Sequence, residues 1–133
     1  LDPLLVEAHY TLGITAWQAG EFEEAAEAFR RAVDLSPTYA EARFMLGTAL
    51  KQKGDLAGAA RELNEAIRLD PSTPGPYNTL AQVRQAQGQR EEAKKLFAQA
   101  AEVKRKKEME QARRLGTPVG TMDLAAPRGG RAK

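Results

Sequence analysis

The residues that could perform chemistry in this sequence are few. The 133 residues include one histidine, His9, and no cysteine, so disulfides and thiolate metal sites are excluded. Two adjacent carboxylate pairs, Glu23-Glu24 and Glu91-Glu92, remain as candidates for acid–base chemistry or metal binding. Both pairs stand where a helix is expected to begin, and negative charge is favourable there without any ligand. Since a glycine-rich phosphate loop is also missing, the sequence predicts no enzyme, no cofactor and no metal site.

A run of positive charge from Lys104 to Lys107 is the strongest candidate for an anion-binding surface. Clustered basic residues attract phosphates and anionic membranes. However, Glu102, Glu108 and Glu110 lie beside the run and can pair with it along a helix. No aromatic residue interleaves the run to stack on bases. We therefore expect neither nucleic acid nor a membrane as the partner.

The composition indicates a chain without a large aromatic core. Aromatic residues make up 6% of the sequence, so a core must be built mainly from leucine and alanine. No apolar run approaches the ~20 residues of a membrane span, and no signal peptide is visible. The last thirty residues carry nine basic and three acidic side chains, which leaves residues 1–103 with a net charge of −4. The compartment stays open, with the cytoplasm favoured.

The elements that would position these residues follow a repeat of 34 residues. The segment GEFEEAAEAFRRAVDLSP (20–37) returns as GDLAGAARELNEAIRLDP (54–71), and Pro3, Pro37 and Pro71 mark the same interval. Six columns of small and apolar residues share this interval: Leu12, Leu46 and Leu80; Gly13, Gly47 and Ala81; Gly20, Gly54 and Gly88; Ala25, Ala59 and Ala93; Phe29, Leu63 and Phe97; Ala32, Ala66 and Ala100. A fixed interval of this length indicates a repeat protein.

The pattern resembles the tetratricopeptide repeat, a helix-turn-helix unit with a Leu-Gly pair in its first helix, an Ala–large–Ala pattern in its second and a closing proline. The resemblance covers roughly residues 3 to 105. Two departures are Ala16 and Arg84, since the family prefers a large side chain at this position. The period-related Leu50 in the middle repeat provides one. Ala81 replaces the usual glycine, and Arg105 stands in place of a fourth proline.

The resemblance implies an all-helical, right-handed superhelical solenoid of three antiparallel helix pairs. We expect a repeat domain over residues 1–115, with repeats at about 3–36, 37–70 and 71–105 and an extended last helix. A flexible basic tail is expected over residues 116–133, which are rich in Gly and Pro. Because Leu1-Asp2-Pro3 matches the segments that close one repeat and open the next, the chain is interpreted as a fragment of a longer array.

The periodicity also predicts helix boundaries and inward faces. Helices are expected to begin at Pro3, at Pro37 with Ser36 as cap, and near Pro74 with Ser72 or Thr73 as cap. The last helix should run from Arg90 to Arg114. In the first helix the residues at inward spacing are Leu5, Ala8, His9, Leu12 and Ala16. His9, which Arg43 and Tyr77 match in the later repeats, is interpreted as a packing residue.

A second face of the first helices carries the main functional hypothesis. Its residues are spaced by three and four and form one stripe in each repeat: Glu7, Tyr10, Ile14 and Trp17; Glu41, Phe44, Thr48 and Lys51; Gly75, Asn78, Gln82 and Gln85. In proteins that this chain resembles, these stripes line a concave groove that takes an extended peptide or a helix from a partner. The resemblance thus implies a non-enzymatic protein-interaction module whose groove is aromatic at its amino-terminal end and amide-rich at the other. We expect Tyr10, Trp17 and Phe44 to be exposed in the free protein.

Two other interpretations remain open. Tyr10 and Trp17 would have no ligand-binding role if they only cover an end that an upstream repeat would occupy, although Phe44 in the middle repeat weakens this view. Alternatively, the bare amino-terminal face or the extended last helix could pair with a second copy, which would make the chain a self-assembling scaffold.

One ligand class is disfavoured. Some members of the family hold the carboxylate of a chaperone's carboxy terminus with Lys, Asn and Arg side chains in the groove. The matching positions here are Tyr10, Ile14, Met45, Gly75 and Thr79, and none carries a positive charge. The sequence therefore predicts that the partner is not a chaperone carboxy-terminal peptide.

Overall fold

The computed structural model describes residues 2–116, and this part of the chain consists of six α-helices and no strand. The helices are α1 (Pro3–Gln18), α2 (Phe22–Leu35), α3 (Ala40–Lys53), α4 (Leu56–Leu69), α5 (Pro74–Ala86) and α6 (Arg90–Arg114). Substantial contacts join each helix to the next along the chain, and α3 also contacts α5. The expected all-helical stack of three helix pairs is confirmed. We call α1, α3 and α5 the first helices and α2, α4 and α6 the second helices.

The helix starts follow local hydrogen bonding. The Asp2 carboxylate accepts a bond of 3.0 Å from the amide of Leu4, and Asp55 accepts one of 2.9 Å from the amide of Gly58. Both satisfy amides that have no partner within the helix. The start predicted for the third helix is wrong, because Pro37 lies in a turn closed by the Tyr39 amide on the Ser36 carbonyl, and α3 begins at Ala40.

The start of α5 and its cap residue agree with the prediction, but the cap residue makes no side-chain hydrogen bond to the helix. Helix α5 begins at Pro74 with Thr73 as N-cap, and the Thr73 side chain donates no bond into the helix. Instead the hydroxyls of Ser72 and Thr73 donate to the Asp70 carboxylate at 2.7 and 3.0 Å. Asp70 thus orders the three-residue loop that precedes the helix.

Close approach of the paired helices depends on missing side chains. A Cβ built on Gly13 would lie 2.5 Å from the Phe29 ring, and one built on Gly47 would lie 2.7 Å from Leu63. Phe29 and Leu63 are fully buried, so neither can give way without disturbing the core. The absence of a side chain at Gly13 and Gly47 thus lets the second helix of each of these repeats approach its first helix.

The prediction for the inward face of α1 is wrong in part. Leu5 and Leu12 are 46% and 57% exposed, whereas the period-related Leu46 and Leu80 are 0% and 2% exposed. The reason is that α3 and α5 each pack between two second helices, while α1 packs on α2 alone. Ala8 is also exposed, His9 is half-buried, and Ala16 is buried as expected. Val6, absent from the prediction, is buried.

Helix α6 extends past the stack, as predicted, and ends at Arg114. Ion pairs along the helix join Arg105 to Glu102 at 2.6 Å and Arg113 to Glu110 at 2.9 Å. The predicted division into a repeat domain over 1–115 and a tail over 116–133 stays a prediction, since residues 117–133 lie outside the described part. Within residues 2–116, no helix combines the length and apolar character that crossing a bilayer requires.

Candidate functional site

The predicted groove stripes contact one another across the repeats. The Phe44 ring of α3 lies against the start of α5, where a Cβ on Gly75 would be 2.9 Å from it. Further along the same helices, the Lys51 ammonium donates a bond of 2.9 Å to the Gln82 side chain. These contacts place the stripes of α3 and α5 side by side, so that they form one continuous surface.

None of the predicted groove residues is fully buried. Five are exposed: Glu7, Glu41, Asn78, Gln82 and Gln85. Six are half-buried: Tyr10, Ile14, Trp17, Phe44, Thr48 and Lys51. The Thr48 hydroxyl donates to the Phe44 carbonyl at 2.8 Å within the helix, so that hydroxyl proton is already engaged. The surface thus offers charged and amide groups in front of partly sheltered aromatic rings.

The expectation that the groove aromatics are exposed in the free protein is wrong. Tyr10 lies 5.7 Å from Phe29 between ring centroids, and Trp17 lies 5.0 Å from Phe22 in an edge-on arrangement. Phe44 packs against the core as well. Rings of this size on the first helices reach the neighbouring helix, and each ring therefore belongs both to the core and to the surface.

Tyr39 also belongs to this surface, although no stripe predicted from the sequence includes it. Its ring lies 5.1 Å from that of Tyr10, so the two tyrosines form an aromatic pair between the first and second repeats. Tyr39 precedes α3 by one residue. Because α3 was predicted to begin at Pro37, Tyr39 was expected inside the helix and was assigned to no stripe. Its contact with Tyr10 was therefore not predicted.

Electrostatics at this end of the surface are negative. Burial raises the pKa of Tyr10 to about 12, and the carboxylates of Glu41 and Glu7 contribute in the same direction. The pKa of Tyr39 is raised by burial and by the same two carboxylates. Within residues 2–116, neither Glu7 nor Glu41 takes part in an ion pair. Both tyrosines therefore stay neutral at physiological pH, beside two uncompensated negative charges.

The cation nearest to Glu41 in the sequence, Arg43, is paired with other groups. Arg43 donates to the Pro37 carbonyl at 3.0 Å and forms an ion pair of 2.9 Å with Glu62. In the next repeat the hydroxyl of Tyr77 donates to the Pro71 carbonyl at 3.0 Å. The matching His9 makes no such bond, and its Nδ1 is buried without a hydrogen-bond partner in the described part of the chain. In the second and third repeats this column anchors the loop before the first helix, which supports a packing role.

A cleft opens between the second and third repeats. It has a volume of about 380 Å³. Its walls are the residues around the start of α3 and the loop before α5: Tyr39, Ala40, Glu41, Phe44, Ala66, Asp70, Thr73 and Pro76. The hydroxyl and amide of Ser72 and the hydroxyl of Thr73 lower the pKa of Asp70, so this wall carries a negative charge at neutral pH. Aromatic walls and two carboxylates make the cleft suited to a cationic side chain.

Comparison with known proteins decides the family. Two family models, both described as tetratricopeptide repeat, match residues 10–74 and 50–115. The chain belongs to the tetratricopeptide repeat family. A search of curated proteins found no match.

Solved structures of similar proteins confirm the superhelical fold of this tetratricopeptide repeat chain. A structure titled "Crystal structure of MamA" is 30% identical with a TM-score of 0.75 over 82% of this chain. This chain spans 64% of that MamA chain. The first tetratricopeptide repeat domain of Spaghetti (RPAP3), bound to the HSP90 peptide SRMEEVD, is 22% identical with a TM-score of 0.74, covering 77% of this chain and 82% of its own.

A third similar structure belongs to an enzyme. A mutant O-GlcNAc transferase from Thermobaculum terrenum is 26% identical with a TM-score of 0.72, and the match covers 75% of this chain but 19% of the transferase chain. Tetratricopeptide repeats thus occur as parts of larger proteins. Within residues 2–116 of this chain, no group of three or more His, Asp or Glu side chains could hold a metal ion.

Proposed function

We propose that this tetratricopeptide repeat chain is a non-enzymatic protein-interaction module that binds an extended peptide or a helix of a partner protein. The binding surface is the groove formed by the first helices. Its residues are the predicted ones together with Tyr39: Glu7, Tyr10, Ile14, Trp17, Tyr39, Glu41, Phe44, Thr48, Lys51, Asn78, Gln82 and Gln85.

The observation that carries this proposal is the continuity of the groove. Phe44 lies over Gly75, Lys51 bonds to Gln82, and Tyr39 pairs with Tyr10, so neighbouring repeats meet through residues of the stripes. A partner lying along the groove would contact preorganised side chains, which reduces the ordering cost of binding. The peptide-bound tetratricopeptide domain of Spaghetti supports this mode at the level of the fold.

The charge of the groove argues against a chaperone carboxy-terminal peptide as the ligand. The peptide held by Spaghetti, SRMEEVD, carries three acidic side chains and one basic side chain. In this chain Glu7 and Glu41 flank the aromatic end, and the positions that could hold a carboxylate are Tyr10, Ile14, Met45, Gly75 and Thr79. An acidic peptide would meet like charge at this aromatic end, because the cation of the groove, Lys51, lies further along α3 and bonds to Gln82.

The proposal can be tested by selecting heptapeptides from a random displayed library and measuring their affinity for variants. Trp17→Ala and Phe44→Ala should weaken a selected peptide by about 1–4 kcal/mol, because aromatic anchors dominate interface energies. The matched control is Lys104→Ala with Lys107→Ala on α6, which should leave affinity almost intact and change only its salt dependence. Isothermal titration calorimetry gives the affinities.

Because the aromatic residues are half-buried, circular dichroism must first show that each variant is folded. Folded aromatic variants that keep full affinity, together with lysine variants that lose it, would move the binding site from the groove to α6 and refute the proposal.

A second candidate function is self-association through the amino-terminal face, which a specific observation favours. Leu4, Leu5 and Leu12 are 78%, 46% and 57% exposed on α1. A shallow depression of about 290 Å³ continues this face between α1 and α2. In the later repeats the matching face is covered by a second helix, so a helix from another copy has the right shape to cover it here.

A further inference from the structure

The cleft between the second and third repeats lies at a position where the two repeat junctions differ in sequence. Tyr39 and Thr73 are related by the period of 34 residues, and so are Tyr10 and Phe44. At the first junction the Tyr39 ring packs on Tyr10 at 5.1 Å. At the second junction the ring of Phe44 has Thr73 in the corresponding position, and Thr73 directs its hydroxyl to Asp70 at 3.0 Å.

The volume of the cleft follows from the presence of a threonine at the second junction where the first junction has a tyrosine. A threonine side chain lacks the ring that a tyrosine supplies, and the cleft of about 380 Å³ beside Phe44 and Thr73 is what the exchange leaves. Gly75 adds no side chain next to the Phe44 ring, whereas the period-related positions carry Glu7 and Glu41. The first junction therefore shows what fits at the second one: a flat, polarisable group stacked on an aromatic ring.

The charges around the cleft decide which flat group this is. Glu41 lines it and has no ion-pair partner within residues 2–116. Asp70 also lines the cleft, and Lys107 of α6 acts on its carboxylate from a distance. Arg43 is occupied by Glu62. The net charge of the cleft walls is negative, and a planar cation satisfies both the ring and the carboxylates.

We propose that this cleft is a specificity pocket for an arginine side chain of the bound peptide, with the guanidinium group stacked on Phe44 and paired with Glu41. The inference rests on the proposed function, because the arginine would belong to a peptide in the groove. It adds the chemical class of the partner: a basic segment rather than an acidic or purely apolar one.

The test uses four pools of acetylated and amidated heptapeptides, in which the central residue is Arg, Lys, Gln or Glu and the other six positions are randomised. The full chain is immobilised, and the retained peptides are quantified by mass spectrometry. We expect the arginine pool to be retained about fivefold or more over the glutamine pool, and the glutamate pool least, since stacking and ion pairing add.

Three variants locate the effect. Thr73→Tyr supplies the ring that the first junction has and should abolish the arginine preference, while Glu41→Gln should reduce it severalfold. Glu27→Gln on α2, whose carboxylate pairs with Arg31 away from the cleft, is the matched control and should leave the preference unchanged. Circular dichroism of Thr73→Tyr confirms folding, and Thr73→Gln offers a second, smaller way to fill the cleft.

The outcomes separate this inference from the proposed function. Retention of peptides without an arginine preference, or a preference that both cleft-filling variants leave intact, overturns the arginine pocket while groove binding stands. Failure of all four pools to bind overturns the groove function and the pocket together.

Discussion

At Gly13, helix propensity and core packing have opposite effects on the stability of the chain. Glycine within a helix costs about 1 kcal/mol relative to alanine, so propensity alone favours replacing it. A Cβ at this position would lie 2.5 Å from the ring of Phe29, which is fully buried. Forcing extra atoms into a packed core costs typically about 1–3 kcal/mol. The packing cost is the larger, and it explains why a helix interior carries glycine here.

Gly13→Ala should therefore lower the free energy of unfolding by roughly 1 kcal/mol, the excess of the packing cost over the gain in propensity. Urea denaturation followed by circular dichroism measures the change.

The matched control is Ala81→Gly in the third repeat, where alanine is already buried in the corresponding position. It should also destabilise the chain by about 1 kcal/mol, because no steric relief compensates for the lost propensity. An increase in stability for Gly13→Ala would show that the Phe29 ring has room to move and that steric exclusion is not the reason for the glycine.

At this scale the sequence predicts contacts that recur with the 34-residue period. It does not predict contacts that depend on where a helix lies in the stack. Gly13 against Phe29 was predictable, because type and interval agree in each repeat. The exposure of Leu12 was not, since its period-related partners Leu46 and Leu80 are buried by a preceding helix that α1 lacks in the described part of the chain. Tyr39 was missed because its period-related positions carry Leu5 and Thr73, so no aromatic residue recurs in its column.

At the scale of the element, period-related helices begin with different N-cap residues. The three second helices begin after Glu21, Asp55 and Gln89, and the side chain of Asp55 alone accepts a bond from the helix it precedes. Each is preceded by a glycine with positive φ, at 78°, 91° and 80° for Gly20, Gly54 and Gly88, which sets the turn in the left-handed region that other residues avoid. The turn is thus fixed by the glycine, and the cap is an addition.

Asp55→Ala should lower the free energy of unfolding by about 1 kcal/mol, since the Gly58 amide loses its acceptor at the start of α4. Thermal and urea denaturation give the change.

The control is Glu21→Ala, which occupies the same position in the first repeat and breaks no cap bond, so it should leave stability within a few tenths of a kcal/mol. Equal losses for the two variants would mean that the effect comes from removing an acidic residue near the helix dipole rather than from the lost hydrogen bond.

The boundaries of the helices were predictable where a single residue decides them. Helix α6 runs over the predicted range because nothing interrupts its strong helix formers. The start of α3 was not predictable from Pro37, since a proline is equally compatible with a first helical turn and with a tight turn. The hydrogen bond from the Tyr39 amide to the Ser36 carbonyl selects the turn.

At the scale of the whole molecule, the two ends of the stack differ in what they expose. The amino-terminal face carries Leu4, Leu5 and Leu12. On the carboxy-terminal helix the exposed Lys94 lies where the first two repeats have the buried Ala26 and Ala60. One end is apolar and the other is adapted to water, so self-association should begin at the apolar end.

If the amino-terminal face drives self-association, the mass of the chain should rise with concentration in multi-angle light scattering, and Leu5→Glu with Leu12→Glu should return it to a monomer. Buried apolar area is the driving force, and two charges on the face remove it.

The control variant is Leu115→Glu, which places a charge on the other exposed leucine of the described residues, 76% exposed beyond α6. It should not change the mass. A wild-type chain that stays monomeric at every concentration would rule out this route and leave groove binding as the sole interaction mode proposed for the chain.

The packing of each helix mainly on its neighbours in sequence also governs how the chain folds. Contacts of short sequence separation require little loop closure, so contact order is low and folding should be fast. Stability in such an array is a sum of pair energies and nearest-neighbour couplings rather than the property of one indivisible core. Helices α2, α3, α4 and α5 pack on a helix at both sides, whereas α1 and α6 pack mainly on one each, and α3 and α4 lie farthest from the ends. The molecule should therefore open from its ends inward, and the central pair, which carries Glu41, Phe44 and Ala66 of the cleft, should be the last to lose its structure.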